Sequence, residues 1–385
     1  MAVLPNGDAQ VVWLEWSTFS TPRILSRVVS RYGSHSAVEQ VFATPTPVYP
    51  GHEQLSVPSL HLNSEGMSTA AWAHRGDGGQ LYEVLVARRR LGADWLPAEN
   101  INPDPTLQLS WVDVKADGEG RLFAAWTQRP AEGEPGGVRV RRFSPDAGWG
   151  APLFITPTGT VLFVDEQALH VSDEGAAAVT WEGYSPLVPS ALHATRIHGD
   201  QPEDALFERG NRPGFSLNRD GGALMAWTGA PEVRSVRFAA GTWGALEQFG
   251  GDAGFAVAQP VVDARDPETV IWAAGDASHS SIWITERADG GWTEPRALDE
   301  LGPGGPHFLI QASNRRGDRL TAWNRGQSLI VMHQDGGVDS LEGLSVTETR
   351  KPPRLAVGED GTAWIIATVQ EPAFREVALV CPSLQ

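Results

Sequence analysis

Residues 118–129 read GEGRLFAAWTQR: a glycine turn, a short apolar run, a tryptophan, then polar residues. Gly120 and Trp126 stand six apart, and the same spacing recurs at Gly7/Trp13, Gly66/Trp72, Gly175/Trp181, Gly221/Trp227 and Gly317/Trp323. A seventh copy keeps Trp272 but has Asp266 in the glycine place. An eighth keeps Gly361, with Ala367 in the tryptophan place and Trp364 three residues earlier. One such match carries no weight. Eight in near-regular series, with tryptophan places 44 to 59 residues apart, mark a repeat.

Each unit parses into four short strands. In the third, 109–114 forms strand A, the turn ADGEG leads to strand B (121–126), 137–143 forms strand C, and 148–155 forms strand D. The turns between A and B are NSEG, GEG, SDEG, NRDG, NRRGD and GEDG. Glycine accepts a positive φ there, while Asn and Asp bond the local backbone. Strands C alternate apolar and polar residues, as in VRVRRF, which is the period of half-buried sheet. A second tryptophan opens strand D at Trp95, Trp149, Trp243 and Trp292. Gly and Pro, 42 and 28 in number, are spread along the chain and break every candidate helix.

Four-stranded units of this length in series describe an all-β fold, a single β-propeller of antiparallel blades over residues 1–385. Eight signatures predict eight blades, at about 1–46, 47–102, 103–157, 158–208, 209–250, 251–300, 301–346 and 347–385; seven is the alternative. The first copy has only MAVLP before its turn, and the last reaches residue 385 soon after strand C. The Gly-to-Trp phrase and the G-W opening of strand D resemble the repeats of bacterial sialidase-superfamily-like propellers. They are also similar to lectin propellers built from tandem tryptophan-bearing repeats. The sialidase box S-x-D-x-G-x-x-W sets Gly and Trp three apart rather than six and lies between C and D. No catalytic residue is therefore carried over from that family.

The net charge of −17 opposes a nucleic-acid backbone or an anionic membrane surface. Cys381 is the sole cysteine, so no internal disulfide forms. The N-terminus carries no basic segment followed by an apolar run, and no apolar stretch reaches membrane-spanning length. As written, the chain reads as cytoplasmic; a secreted protein whose signal has been removed is the other reading. The histidines show no metal-ligand spacing, and no phosphate loop or nucleophile elbow occurs, so neither a metal nor a cofactor is expected. Oligomeric state is not legible.

In a propeller the B–C and D–A connections open on the face where ligands usually bind, and the A–B turns lie opposite. The acidic turn residues Asp117, Asp173, Asp220 and Asp360 thus read as turn formers. The ligand-binding candidates are Trp16, His74, Arg75, Gln128, Arg129, Glu182, Arg212, His307 and Arg325. Arginines from several blades can grip a carboxylate or sulfate. The catalytic candidates are Glu15, Glu166, Glu182 and Tyr184; the three carboxyls suit acid–base work if burial raises a pKa, with the Tyr184 phenol as a partner. The strand-B tryptophans read as wedges between sheets; those of strand D, with Trp16, Trp111 and Trp283, are better placed for stacking on a sugar. These features point to a ligand-binding propeller with one site at the channel mouth, for a carbohydrate or another polar or anionic small molecule. A glycoside hydrolase, lyase or other enzyme at that mouth, and a protein-interaction scaffold, are the alternatives.

Overall fold

The computed structural model describes residues 1–15, 21–44, 55–75, 82–104, 108–129, 137–156, 163–185, 188–198, 201–207, 211–229, 232–250, 255–256, 260–276, 278–288, 291–303, 305–306, 308–341, 353–370 and 374–381. Every regular element among them is a strand, and the strands form eight antiparallel sheets. In the third sheet Gln108–Ala116, Leu122–Arg129 and Gly137–Ser144 are strands A, B and C; Gly148–Trp149 and Leu153–Phe154 pair with C as an interrupted strand D. The first sheet takes its strand A from Ala2–Val3, paired to Ala9–Glu15. The eighth has three described strands, Arg354–Val357, Ala363–Gln370 and Phe374–Cys381. This is the eight-bladed count that the repeat predicts. The chain divides into two compact units, 1–4 with 8–208 and 5–7 with 209–385, so the division after Glu208 coincides with the fourth and fifth blades' boundary.

The A–B turns have one construction. In the third blade Asp117 N donates to Arg121 O at 3.0 Å and Gly120 N donates to Asp117 O at 3.3 Å. Asn63, Ser172, Asn218, Asn314 and Gly358 repeat both bonds with their own partners. This is a tight turn closed by a glycine at positive φ, and Gly120 has φ +78°. A Cβ on Gly120 would also lie 3.0 Å from Asn63 Nδ2. In five of these six turns the opening side chain is the lock: Asp117 Oδ1 accepts from Glu119 N and Arg121 N, both at 2.9 Å, and Asn63 Oδ1 accepts from Glu65 N and Met67 N; in the turn that Gly358 opens, Asp360 Oδ1 accepts from Thr362 N instead. Where Asp266 replaces the glycine, the turn contains a cis Asp266–Pro267 bond.

Neighbouring A–B turns are also bonded to one another. Ser64 Oγ donates to Gly118 O, Gly118 N donates to Asp173 O at 2.8 Å, and Asn314 Nδ2 donates to Gly358 O at 2.7 Å. Of the acidic turn residues, Asp117 and Asp360 thus hold their own turns through their carboxylates, and Asp173 bonds the neighbouring turn through its carbonyl. By contrast the C–D turns are open: Gly33, Gly92, Gly148, Gly241, Gly291 and Gly336 have positive φ, and an added Cβ on any of them would meet nothing within 4 Å.

The core lies between sheets. Trp72, Trp126, Trp181, Trp272 and Trp323 each sit in an apolar cluster made by their own blade and the one before. Trp126, for example, is fully buried against Ala71, Ala73, Val84, Val86 and Ile101. Burying one indole removes about 150–250 Å² from water, worth about 4–6 kcal/mol before entropy is subtracted. Trp13 is only partly buried. Trp364, three positions before the usual place, projects from the opposite face of its strand, since an odd step along a strand reverses the side chain. It too is buried, and Nε1 donates to Gly7 O at 3.0 Å within the second unit.

Candidate functional site

Residue Trp+2 lies on the same strand face as the wedge tryptophan, so it reaches toward the preceding blade at the end where B–C and D–A connections leave. Glu15, His74, Gln128 and Arg325 hold this position in four copies; Gly183, Gly229 and Ala274 hold it in three others. The first unit brings two of the four into one polar network. His74 Nδ1 contacts Glu83 Oε2 at 2.8 Å, where the acceptor-only carboxylate calls for an N–H on that nitrogen. The other oxygen, Oε1, accepts from Asn100 Nδ2 at 3.3 Å. Asn100 Oδ1 accepts from Asn102 N, and Asn102 Nδ2 donates to Tyr82 O and Asp104 O at 2.9 and 2.8 Å. Gln128 Nε2 in turn donates to Asn102 Oδ1 at 3.2 Å and to Asp104 O at 3.5 Å.

This network spans the second and third blades. Strand C of the second supplies Tyr82 and Glu83, its strand D supplies Asn100, its D–A connection supplies Asn102 and Asp104, and strand B of the third supplies Gln128. Phe42 closes one side, with its ring 5.2 Å from His74 in an edge-on arrangement. Arg75 lies over the Tyr82 ring at 5.7 Å. Both side-chain polar atoms of Asn102 are engaged. Those of Gln128 are not: it is 2% exposed, and Oε1 has no hydrogen-bond partner among the described residues. Both neighbours of Nε2 are carbonyl oxygens, so turning the amide over would set two acceptors against Oε1. An acceptor buried this way costs about 1–3 kcal/mol unless something supplies a donor.

The remaining candidates lie apart from this network. Glu15 is half-exposed and pairs with Arg23 of its own blade. Glu182 is partly buried on strand B of the fourth blade, with Asp165 and Leu192 as its register neighbours. Glu166, Tyr184, Arg129 and Arg212 are placed by their backbones in strands Phe163–Val171, Ala177–Ser185, Leu122–Arg129 and Asn211–Leu217. Trp16 and His307 lie outside the described residues. In the second unit Arg325 meets Asp299 of the preceding blade's strand D through Nε at 3.0 Å and Nη2 at 2.9 Å, and Trp323 Nε1 donates to the same carboxylate at 2.7 Å.

The outer tryptophans have partners that the sequence does not reveal. Trp149 Nε1 donates to Glu99 Oε2 of the preceding blade at 3.2 Å, and Trp292 Nε1 donates to Glu247 Oε2 at 2.8 Å. Burial works to raise the Glu247 pKa, but hydrogen bonds from Arg287 and Trp292 and the charges of Arg287 and Arg237 outweigh it and hold the carboxyl below its ordinary value. Trp111 and Trp283 pack against apolar clusters rather than standing clear for a ligand. Asp276, in a B–C connection, is held down to about 2 by hydrogen bonds from the Ser278 side chain and backbone and from the His279 backbone. Among the described residues no group of three or more metal-ligating side chains gathers.

No protein-family model and no curated protein sequence matches the chain. Among solved structures, the BP39L lectin from Burkholderia pseudomallei is similar at 14% identity, over 86% of this chain and 96% of the lectin, with a TM-score of 0.53. The polysaccharide lyase Uly1 is similar at 9% identity, over 98% of this chain and 90% of the lyase, also with a TM-score of 0.53. At such identities the likeness is one of fold, and it agrees with the eight four-stranded repeats: the chain is a β-propeller.

Proposed function

We propose that this β-propeller binds a carbohydrate or a similar small polyhydroxyl ligand at the junction of its second and third blades. The observation that carries the reading is the Gln128 carbonyl, buried and lacking a donor within a network of amides, a carboxylate and an imidazole. A sugar hydroxyl donates and accepts, so it completes Gln128 and still bonds Glu83 or Asn100. Tyr82, with Arg75 over its ring, offers an aromatic face of the kind on which sugar rings stack. Fold likeness to a lectin and to a polysaccharide lyase supports a glycan ligand without specifying one.

The test is a glycan array followed by calorimetry on the wild type and on Gln128→Leu. Replacing Gln128 removes the orphaned acceptor, so the variant keeps its melting temperature and loses sugar binding at least tenfold. Silence of the wild type across neutral and acidic glycans, or equal binding by both proteins, overturns the reading. The His74–Glu83 contact favours the enzyme alternative as a second reading, because a carboxylate-oriented imidazole is an acid–base pair. Product release from a bound glycan, abolished in His74→Ala, would move the assignment from binder to enzyme.

A further inference from the structure

The innermost strands of the first unit carry a second irregularity. Two residues before the opening residue of each A–B turn, the second, third and fourth blades have His61, Lys115 and His170. The same place holds Ala2 in the first blade, Ser216 in the fifth, Ala312 in the seventh and Ala356 in the eighth. The positions are equivalent in register: His61 faces Thr69, Lys115 faces Phe123 and His170 faces Ala178, each three residues after the turn glycine or its equivalent. The adjoining inner strands touch through side chains, since Ser59 Oγ donates to Asp113 Oδ1 at 2.5 Å. Asp113 also accepts from Val114 N at 2.8 Å, so the carboxylate nearest Lys115 along its strand is already committed.

Lys115 is partly buried and has no ion pair or hydrogen bond with any described residue. That isolation is out of character for the chain. It has only two lysines, and arginines such as Arg89, Arg121, Arg265, Arg287 and Arg319 are all paired with carboxylates. Beside the lysine, burial and then the Lys115 charge push the His170 pKa down to about 3, while its Nε2 lies 3.3 Å from Thr180 Oγ1. A partly buried ammonium that also bears on a neighbouring imidazole is an uncompensated positive point on a chain of net charge −17. A lysine is a compact, movable charge with three donors, suited to an oxyanion that arrives from solution rather than to a fixed planar partner.

We propose that Lys115, flanked by His170, forms an anion site for the carboxylate or sulfate group of a small ligand. The site lies near the A–B turn ends of the inner strands, whereas the Gln128 network lies toward their other ends, so the two stand or fall separately. With two lysines and one terminal amine, reductive methylation with 13C-formaldehyde gives a spectrum in which Lys115 is resolved, and Lys115→Arg identifies its signal by loss. Sodium sulfate and sodium acetate are titrated against sodium chloride at matched ionic strength. A saturable shift of the Lys115 signal with either oxyanion, while Lys351 and the terminal amine stay in place, supports the site and names the preferred group. No shift, or a linear one equal to that with chloride, overturns it. Calorimetry with unmethylated protein is the second arm: Lys115→Gln weakens binding of the responding anion at least tenfold and Lys351→Gln leaves it unchanged. Equal affinities in the two variants overturn the proposal.

Discussion

A single indole shows how far a residue's role can be read from its place in the repeat. Trp126 was legible because its spacing from Gly120 recurs, and a side chain kept at one place per blade is a packing element. Trp126→Ala leaves a cavity between the second and third sheets, and stability is expected to fall by about 3–5 kcal/mol, measured as a displaced urea midpoint. Gln128, two residues on, was legible only as a departure from the repeat. Its partners Asn102 and Asp104, and Asn100 and Glu83 behind them, were not, because they come from another blade and meet it only once strand register is fixed. The same limit hid Glu99 and Glu247, which turn Trp149 and Trp292 from open aromatic faces into clasps between sheets. Trp292→Phe keeps the ring and removes the donor to Glu247. Its melting temperature is expected to drop by the equivalent of about 1 kcal/mol, and less at high salt than a comparable core substitution.

At the level of the hairpin, two kinds of turn leave the same end of the four-stranded sheets and behave oppositely. The A–B turn combines a positive-φ glycine, a side-chain lock and a bond to the next blade, so its composition was readable as a turn but its contacts across blades were not. Gly120→Ala meets both a strained φ and the Asn63 amide, and it is expected to cost about 1–2 kcal/mol in thermal or chemical unfolding. Gly148→Ala, in an open C–D turn of the same blade, has the φ penalty alone and is expected to cost less. Measuring the pair side by side separates backbone strain from crowding.

Across the whole chain, charge sets the response to solution conditions. A net charge of −17 with a pI near 5.0 means mutual repulsion at neutral pH, so added salt is expected to raise the melting temperature at pH 7 and to do so less near pH 5. Acid acts through particular carboxylates. Burial works to raise the Asp263 pKa, but hydrogen bonds and charge from Arg265, with Arg319 adding charge, hold it below its ordinary value. A carboxyl depressed in the fold stabilises it above the unfolded pKa of about 4, and that contribution is lost as the pH falls through this value toward the lower folded one. Asp263→Asn is therefore expected to be less stable than wild type at pH 7, with the difference narrowing below pH 4 in a series of thermal melts. The open C–D turns carry a practical corollary. Because Gly148 and Gly241 face empty space, an epitope, fluorophore-binding peptide or surface-coupling tag grafted there can be carried without touching the bonded A–B turns or the Gln128 network. The molecule thus arrives with ready attachment points for immobilising it on a sensor in a chosen orientation.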